Sequence, residues 1–268
     1  MKRKAKFVAA AVCGLLCLVA ARADAGSPLF GIHTEQDWLE ALDPANPRIV
    51  PVEASEFERM ILEDPQWPQE YRDATFFTPT LEVVPDFDGE AGLYMSWGQS
   101  DGVEERRAAA WDYVYPQDPN LNGMTIDFSI FPPVPSTLLS LNLIDANGNY
   151  REWIWHAGGA GEVPAGQWST LSINPATGAS NWPTFGGSPF IHNVPGFSFD
   201  LSSIQILRFN ENIWSAPGFP AGPMGNVPDG WVWNAWNHVE VSPEPGTLIV
   251  WSALIGLGLG FGWWRGRR

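Results

Sequence analysis

From about Thr75 onward, the sequence breaks into short runs of β-branched and aromatic residues, separated by proline, glycine and asparagine. Short runs bounded by turn-forming residues at regular spacing are typical of antiparallel strands. The pattern therefore predicts a mostly β domain over residues 76–242, built as an antiparallel β-sandwich. The predicted strands are Phe76–Val84, Gly92–Trp97, Ala109–Tyr115, Met124–Phe131, Leu138–Asp145, Tyr150–His156, Trp168–Ile173, Ile204–Asn210 and Val232–Val241.

The segment that precedes these runs, residues 26–75, carries helix signals instead. Thr34 and Ser55 are each followed three residues later by an acid, Asp37 and Glu58, and apolar residues come next. A hydroxyl and an acid at this spacing are the two halves of a helix capping box. We therefore predict short helices in an N-terminal segment ahead of the sandwich.

The stretch from Leu139 to Trp155 gives the clearest local prediction. Two alternating strands flank the dipeptide Asn147-Gly148. Asparagine followed by glycine best tolerates the positive backbone angles of a tight hairpin turn. The sequence therefore predicts a β-hairpin here.

The N-terminus has the three parts of a secretory signal. A basic start, Met1–Lys6, is followed by the apolar stretch Phe7–Ala21 and by small residues at Ala23 and Ala25. The apolar stretch is shorter than the roughly 20 residues that span a bilayer. Residues 1–25 are therefore predicted to be a signal peptide, cut by signal peptidase after Ala25, with Ala23 as the alternative.

Cysteine content and charge restrict the exported part further. Cys13 and Cys17 are the only cysteines, and both lie in the predicted signal peptide, so the mature protein has no disulfide. Residues 26–246 contain 7 basic and 29 acidic residues, a charge near −22. A surface this acidic repels polyphosphates, which argues against nucleic acid as a partner.

The C-terminus has a second apolar segment. The uncharged run 247–264 is long enough to cross a bilayer and is followed by Arg265, Arg267 and Arg268. Arginines that flank a membrane helix stay in the cytoplasm. The tail is therefore predicted to hold a single-pass membrane precursor with its folded domain outside the cytoplasm.

Pro243, Glu244 and Pro245 precede this run, and the tail 243–268 resembles the PEP-CTERM sorting signal. The resemblance implies that an exosortase, a membrane protease-transpeptidase, recognises the Pro-Glu-Pro triplet. The apolar helix would then hold the substrate in the membrane, and the arginines at the end would fix its orientation. The expected destination is the cell surface or the extracellular matrix.

The domain between the two signals loosely resembles jelly-roll carbohydrate-binding modules. The similar features are a strand ending in Asp-x-Asn-Gly (145–148), the strand opening at 166–173, the approach to a strand at 199–207 and the closing strand 236–241. The resemblance implies a jelly-roll sandwich. Fold similarity alone does not establish sugar binding.

Tryptophan is abundant, with twelve copies in the exported part. Trp153, Trp155 and Trp233 are the candidates for a glycan-binding face, because aromatic rings stack on the apolar faces of sugars. The alternative is that these residues are ordinary sandwich core. Sequence does not decide between the two interpretations.

Oxygen ligands for a metal are suggested at one turn. Asp145, Asn147 and Asn149 alternate like the first ligands of a calcium loop, but the glutamate that completes such a loop is missing. A hairpin turn explains the same residues. No cofactor is expected, a structural calcium held by separate loops stays open, and the scattered histidines give zinc little support.

One motif suggests catalysis. Residues 98–102 match the G-x-S-x-G nucleophile elbow around Ser100, after the strand Leu93–Trp97 and before a helical stretch predicted at Val103–Ala110. An elbow belongs to a sheet of alternating strands and helices, whereas the sequence that follows is almost all strand-like. A glycine-rich loop is the alternative interpretation.

These observations favour an exported, surface-sorted bacterial envelope or extracellular-matrix protein that is not an enzyme and binds exopolysaccharide through its sandwich. Two alternatives remain. One is a secreted hydrolase acting on polysaccharides or esters, and the other is a structural matrix protein that binds no small ligand.

Overall fold

The computed structural model describes residues 30–63, 67, 69–99, 105–135, 137–156, 163–178, 180–181, 190–192, 199–215 and 231–243. Its helices are α1 (Glu35–Ala41), α2 (Ala54–Glu63) and α3 (Gln69–Arg72). Its strands are β1 (Phe30–Ile32), β2 (Ile49–Pro51), β3 (Thr75–Phe76), β4 (Thr80–Phe87), β5 (Glu90–Gln99), β6 (Glu105–Val114), β7 (Met124–Phe131), β8 (Thr137–Asp145), β9 (Tyr150–His156), β10 (Ser169–Ile173), β11 (Phe190–His192), β12 (Ile204–Ser215) and β13 (Trp231–Pro243).

The strands form two sheets that pack face to face, so the predicted antiparallel β-sandwich is confirmed. Sheet I has the order β10-β7-β13-β5-β4, with β1 also paired to β13. Sheet II has the order β11-β9-β8-β12-β6-β2, with β3 paired to β6. Every pair is antiparallel except β3–β6. The chain crosses repeatedly between the sheets, as in jelly-roll sandwiches.

The N-terminal segment is built into the sandwich. Its strand β1 joins sheet I beside β13, and its strand β2 joins sheet II beside β6. The capping box predicted at Thr34 is present, because the Thr34 hydroxyl accepts from the Asp37 N–H and the Asp37 carboxylate accepts from the Thr34 N–H. Helix α2, however, begins before Ser55, since the Glu53 carbonyl already accepts from the Phe57 N–H.

Aromatic rings fill the space between the sheets. Trp111 stacks on Phe209 with 4.3 Å between ring centroids, and Trp236 meets Trp111 edge-on at 5.7 Å. Trp38 closes one end against Trp111 at 6.2 Å. Such offset and edge-to-face pairs combine large apolar burial with favourable ring electrostatics. This inter-sheet core explains much of the high tryptophan content.

The outer face of sheet II is covered by the helices. Phe57 and Ile61 of α2, together with Trp67 and with Tyr71 of α3, are buried against this face. The sheet residues that meet them are Ala108, Ala110, Leu138 and Ile154. A helix with apolar residues at positions 57, 60 and 61 has the stripe needed to pack on a sheet.

A buried ion pair fixes α2 to this face. Arg208 on β12 donates from Nε to Asp112 Oδ1 at 2.7 Å and from Nη2 to Asp112 Oδ2 at 2.8 Å. The same Nη2 reaches Glu56 of α2 at 2.7 Å. The side chains of Arg208 and Asp112 are only 4% and 8% exposed, so neither charge has water as an alternative partner.

The predicted hairpin is confirmed, and its turn is anchored by one carboxylate. Strands β8 and β9 pair across Asn147-Gly148, and Gly148 has φ of +79°. Asp145 Oδ1 accepts from the N–H groups of Asn147 and Asn149 at 2.9 Å, and Oδ2 accepts from the N–H of Asp200 at 2.9 Å. The Asp145 carboxylate therefore ties this turn to the neighbouring loop.

The two predicted targeting segments, 1–25 and 247–264, lie outside the described residues. Within the described part of the chain, no helix is both long and apolar enough to span a bilayer. Pro243 is described, as the last residue of β13 opposite Met124. The other sorting residues, Glu244, Pro245 and the three arginines, lie outside.

We expect Arg208→Ala to lower the free energy of unfolding by about 3–5 kcal/mol, because Asp112 would be left buried without a partner. Glu56→Gln is the matched control. The Glu56 side chain is 49% exposed, so losing its ion pair should cost about 1 kcal/mol or less. Urea denaturation of both variants tests this, and equal losses would contradict it.

We expect Asp145→Ala to cost about 3 kcal/mol, because the N–H groups of Asn147, Asn149 and Asp200 lose a charged acceptor and Asn149 is buried. The loss should be the same with calcium and with a chelator, since the carboxylate oxygens are already occupied by those donors. Thermal unfolding in both buffers is the measurement. A loss that grows in calcium would instead place the metal at this turn.

Candidate ligand-binding face

The outer face of sheet I carries a second aromatic cluster, which we call the aromatic platform. Trp233 of β13 lies at its centre, stacked on Tyr94 with 5.6 Å between centroids and on Phe131 at 6.1 Å. Phe87 meets Trp233 edge-on at 5.8 Å. Trp233, Tyr94 and Phe87 are buried, whereas Phe131 and Trp168 are partly exposed. The buried rings therefore support two rings that reach solvent.

Trp168 packs over β5 beside Gly92. A Cβ on Gly92 would lie 2.5 Å from the Trp236 carbonyl oxygen, so glycine is needed there for the close approach of β13, and the far edge of the Trp168 indole would be in ordinary contact at 3.6 Å. The indole N–H donates to the Phe87 carbonyl at 3.3 Å, and the ring meets Phe87 and Phe131 edge-on. Trp168 is thus held in one orientation over the sheet, with part of its surface open to a ligand.

Polar side chains continue along the same face from the platform. Cross-strand register places Thr170, Ser129 and Asn237 in one row over β10, β7 and β13. The Ser129 and Thr170 hydroxyls lie 2.8 Å apart, and the Asn237 amide donates to Glu90 at 3.2 Å. Thr170 and Glu90 are exposed. Hydroxyls, an amide and a carboxylate beside aromatic rings are the groups that bind sugar hydroxyls and sugar faces together.

Beyond this row, β13 contains a bulge. Its pairing with β7 shifts register between Asn237 and Val239, and His238, the extra residue, has φ of +48°. The bulge brings His238 close to His33, with 2.8 Å between the two Nδ1 atoms. Glu240, two residues farther, lies 3.5 Å from His33 Nε2. The sequence pattern does not reveal this group, because its members are far apart in the chain.

The three tryptophans proposed to contact glycan lie in two different parts of the structure. Trp153 and Trp155 have no exposed surface and belong to the inter-sheet core. A ring with no exposed face cannot stack on a sugar, so this burial favours the core interpretation for both. Trp233 lies in the aromatic platform and is 4% exposed, and the partly exposed Trp168 and Phe131 pack against this cluster. Those last two residues were not among the candidates.

The nucleophile elbow is not supported by the surrounding elements. The strand before it is part of β5. A helix was predicted at Val103–Ala110, but residues 105–114 form strand β6. An elbow needs a helix to follow the nucleophile. The helix prediction is wrong because β6 pairs along most of its length with β12. Ser100 itself lies outside the described residues.

One buried acid faces the inter-sheet core. Glu211 has no exposed surface, and burial raises its pKa well above the ordinary range of a glutamate, with the Asn234 amide as its polar neighbour. A carboxyl that no solvent reaches cannot act on a polymer at the surface. Glu211 is therefore a core residue whose burial favours the neutral, protonated form.

No protein-family model matches this sequence, and no curated protein matches it. Similar solved structures include the family 11 carbohydrate-binding module of the cellulosomal cellulase Lic26A-Cel5E of Clostridium thermocellum, at 13% identity over 62% of this chain and 82% of that chain, with a TM-score of 0.37. A family 30 carbohydrate-binding module matches at 10% identity over 62% and 84%, with a TM-score of 0.35. An exo-beta-agarase matches at 13% identity over 63% of this chain and 22% of that chain, with a TM-score of 0.36. Similarities at these values assign neither a family nor a function.

Proposed function

We propose that this chain is a non-enzymatic, exported protein of the bacterial envelope or extracellular matrix, and that the outer face of sheet I binds a neutral exopolysaccharide. The observation that carries the binding proposal is the aromatic platform itself. It exposes parts of Trp168 and Phe131 beside a row of hydroxyl, amide and carboxylate groups.

The contrast between the two outer faces supports this choice. Helices α2 and α3 cover the outer face of sheet II and bury its residues. On sheet I, the partly exposed rings and the exposed Thr170 and Glu90 lie together on one surface. Exposed aromatic residues rimmed by polar groups mark binding sites rather than core. The sugar would stack on Trp168 and hydrogen-bond to the adjacent row.

The charge of the chain supports a neutral ligand. The exported part carries a net charge near −22, which repels anionic polymers over roughly the Debye length, about 8 Å at physiological salt. Uncharged glycans face no such repulsion. The proposed partner is therefore a neutral polysaccharide rather than an acidic one.

The sorting role rests on the sequence of the two ends. Signal peptidase would remove residues 1–25, and an exosortase would recognise Pro243-Glu244-Pro245 ahead of the apolar run 247–264. Strand β13 ends at Pro243, so the triplet begins at the last residue of this strand. Delivery would leave the domain on the outer surface or in the matrix.

We expect Trp168→Ala to weaken retention of the full chain on immobilised neutral polysaccharides roughly tenfold or more, because a central aromatic contact is worth about 1.4 kcal/mol or more. Affinity electrophoresis against a panel of neutral and acidic polysaccharides measures this. Thr170→Ala, on the exposed part of the polar row, should weaken retention less and tests the same face without disturbing the platform.

Leu62→Ala is the matched control, since Leu62 is a 44% exposed apolar side chain on α2, on the opposite side of the sandwich. Its retention should equal that of the unmodified chain. If Trp168→Ala and Thr170→Ala both bind as well as Leu62→Ala, the proposed face is wrong. No retention of the unmodified chain on any neutral polymer would leave the structural-protein alternative.

For the sorting signal, we expect replacement of Pro243-Glu244-Pro245 by three alanines to leave an unprocessed, membrane-held precursor in a host that has an exosortase. Immunoblots of membrane and surface fractions measure precursor and product. Replacing the triplet of exposed residues Glu35, Gln36 and Glu40 on α1 with alanine controls for expression. Normal surface delivery of the tail variant would overturn the proposal.

A further inference from the structure

We propose that His33, His238 and Glu240 form a binding site for a divalent transition-metal ion, with zinc as the best fit. One ligand atom from each residue lies within 4.8 Å of the ligand atoms of the other two. The site joins His33, which follows β1, to two residues of β13. These strands are far apart in the sequence but paired in sheet I. This proposal does not depend on polysaccharide binding.

The two distances from the Glu240 carboxylate to the imidazoles approach those of a zinc site. Glu240 Oε2 lies 3.5 Å from His33 Nε2 and 4.0 Å from His238 Nε2. Zinc bonds of about 2.0–2.1 Å in tetrahedral geometry place ligand atoms roughly 3.3 Å apart. His33 is exposed, and the other two side chains are partly exposed. Small side-chain rotations therefore suffice to close the site.

The backbone is arranged to present His238. The residues on either side of the bulge, Trp236 and Val239, point into the inter-sheet core. His238 is the extra residue of the bulge, and its φ of +48° is uncommon for a residue other than glycine. A conformation that costs backbone energy persists where the surrounding structure holds it, and such positions cluster at functional sites.

Glycine at position 31 makes room for the other imidazole. Gly31 pairs with Glu240 across β1 and β13, and a Cβ there would lie 2.5 Å from His33 Nε2. A larger residue would push the ring away from Glu240. The capping box adds to the positioning, because the His33 N–H donates to Asp37 Oδ2 at 3.0 Å. The loop that carries His33 is thus fixed by the start of α1.

The types of the three ligand atoms indicate which class of metal ion would bind. Two imidazole nitrogens and one carboxylate oxygen suit zinc, copper or nickel, whereas calcium takes six to eight oxygen ligands. Asp127 pairs with Glu240 across β7 and β13 and adds a second negative charge near His238. That charge favours a dication. Three protein ligands leave a fourth position for water.

The competing explanation for this group is a hydrogen bond between the two imidazoles without a metal. Their Nδ1 atoms lie 2.8 Å apart and their ring centroids 4.6 Å apart. A hydrogen-bonded pair needs no metal and would give no response to zinc. Zinc binding, by contrast, would link residues 205 positions apart and stabilise the folded state in proportion to the free metal.

The test uses the full chain in mild detergent, purified with a tag that contains no histidine and stripped of metal with a chelator. We expect one equivalent of zinc to bind by isothermal titration calorimetry and to raise the melting temperature. Millimolar calcium should neither raise it nor compete with zinc. Failure of zinc to bind, or binding that calcium displaces, would overturn the proposal.

Three variants locate the binding. His33→Ala and Glu240→Gln should each weaken zinc binding at least tenfold, because each removes one ligand of the metal. His238→Asn removes the imidazole but keeps a residue that tolerates positive φ, so the bulge should survive. His156→Ala, a histidine on sheet II, is the control and should bind zinc normally. Zinc affinity within about twofold of the unmodified chain in all three variants would place the metal elsewhere.

Discussion

Strand β13 changes partner along its length, and the exposed face of sheet I depends on that change. Its first half pairs with β5 through Trp236, and its second half pairs with β1 from Val239 onward, while β7 lies on the other side. The bulge at His238 sits where one partner ends and the next begins. It keeps Trp236 and Val239 both in the core, and the extra residue is added to the outer face.

Aromatic residues have different roles in the inter-sheet core and on the outer face of sheet I. Between the sheets, Trp111, Phe209 and Trp236 exclude water from both sides and fix the spacing of the layers. On the outer face of sheet I, Phe87, Trp233 and Tyr94 form a buried base, and Phe87 meets Trp168 edge-on. A binding ring must hold its orientation before the ligand arrives, since ordering it on binding costs free energy. The buried base supplies that order.

Turns and helix caps could be predicted from the sequence, but the sheet face toward which each side chain points could not. The hairpin at Asn147-Gly148 and the cap at Thr34 depend on residues within a few positions, so both were predicted correctly. On sheet II, helices cover one face and the inter-sheet core the other, so Trp153 and its neighbours on β9, Glu152 and Ile154, are all buried. Alternation of apolar and polar residues therefore could not show that Trp153 faces the core. The His33–His238 pair needed the fold, because β1 and β13 lie at opposite ends of the chain.

The same pairing of the two ends places the two proposed sites on one surface. Asn237 belongs to the polar row beside the aromatic platform, His238 and Glu240 follow it directly, and Pro243 ends the strand. A metal bound at His33 and Glu240 would clamp β1 onto β13 just ahead of the sorting triplet. It would also resist fraying of the last strand, because opening the β1–β13 ladder would require the metal ligands to separate. Zinc at this position would therefore stabilise the end of β13, the strand that carries Asn237 of the polar row and ends at Pro243.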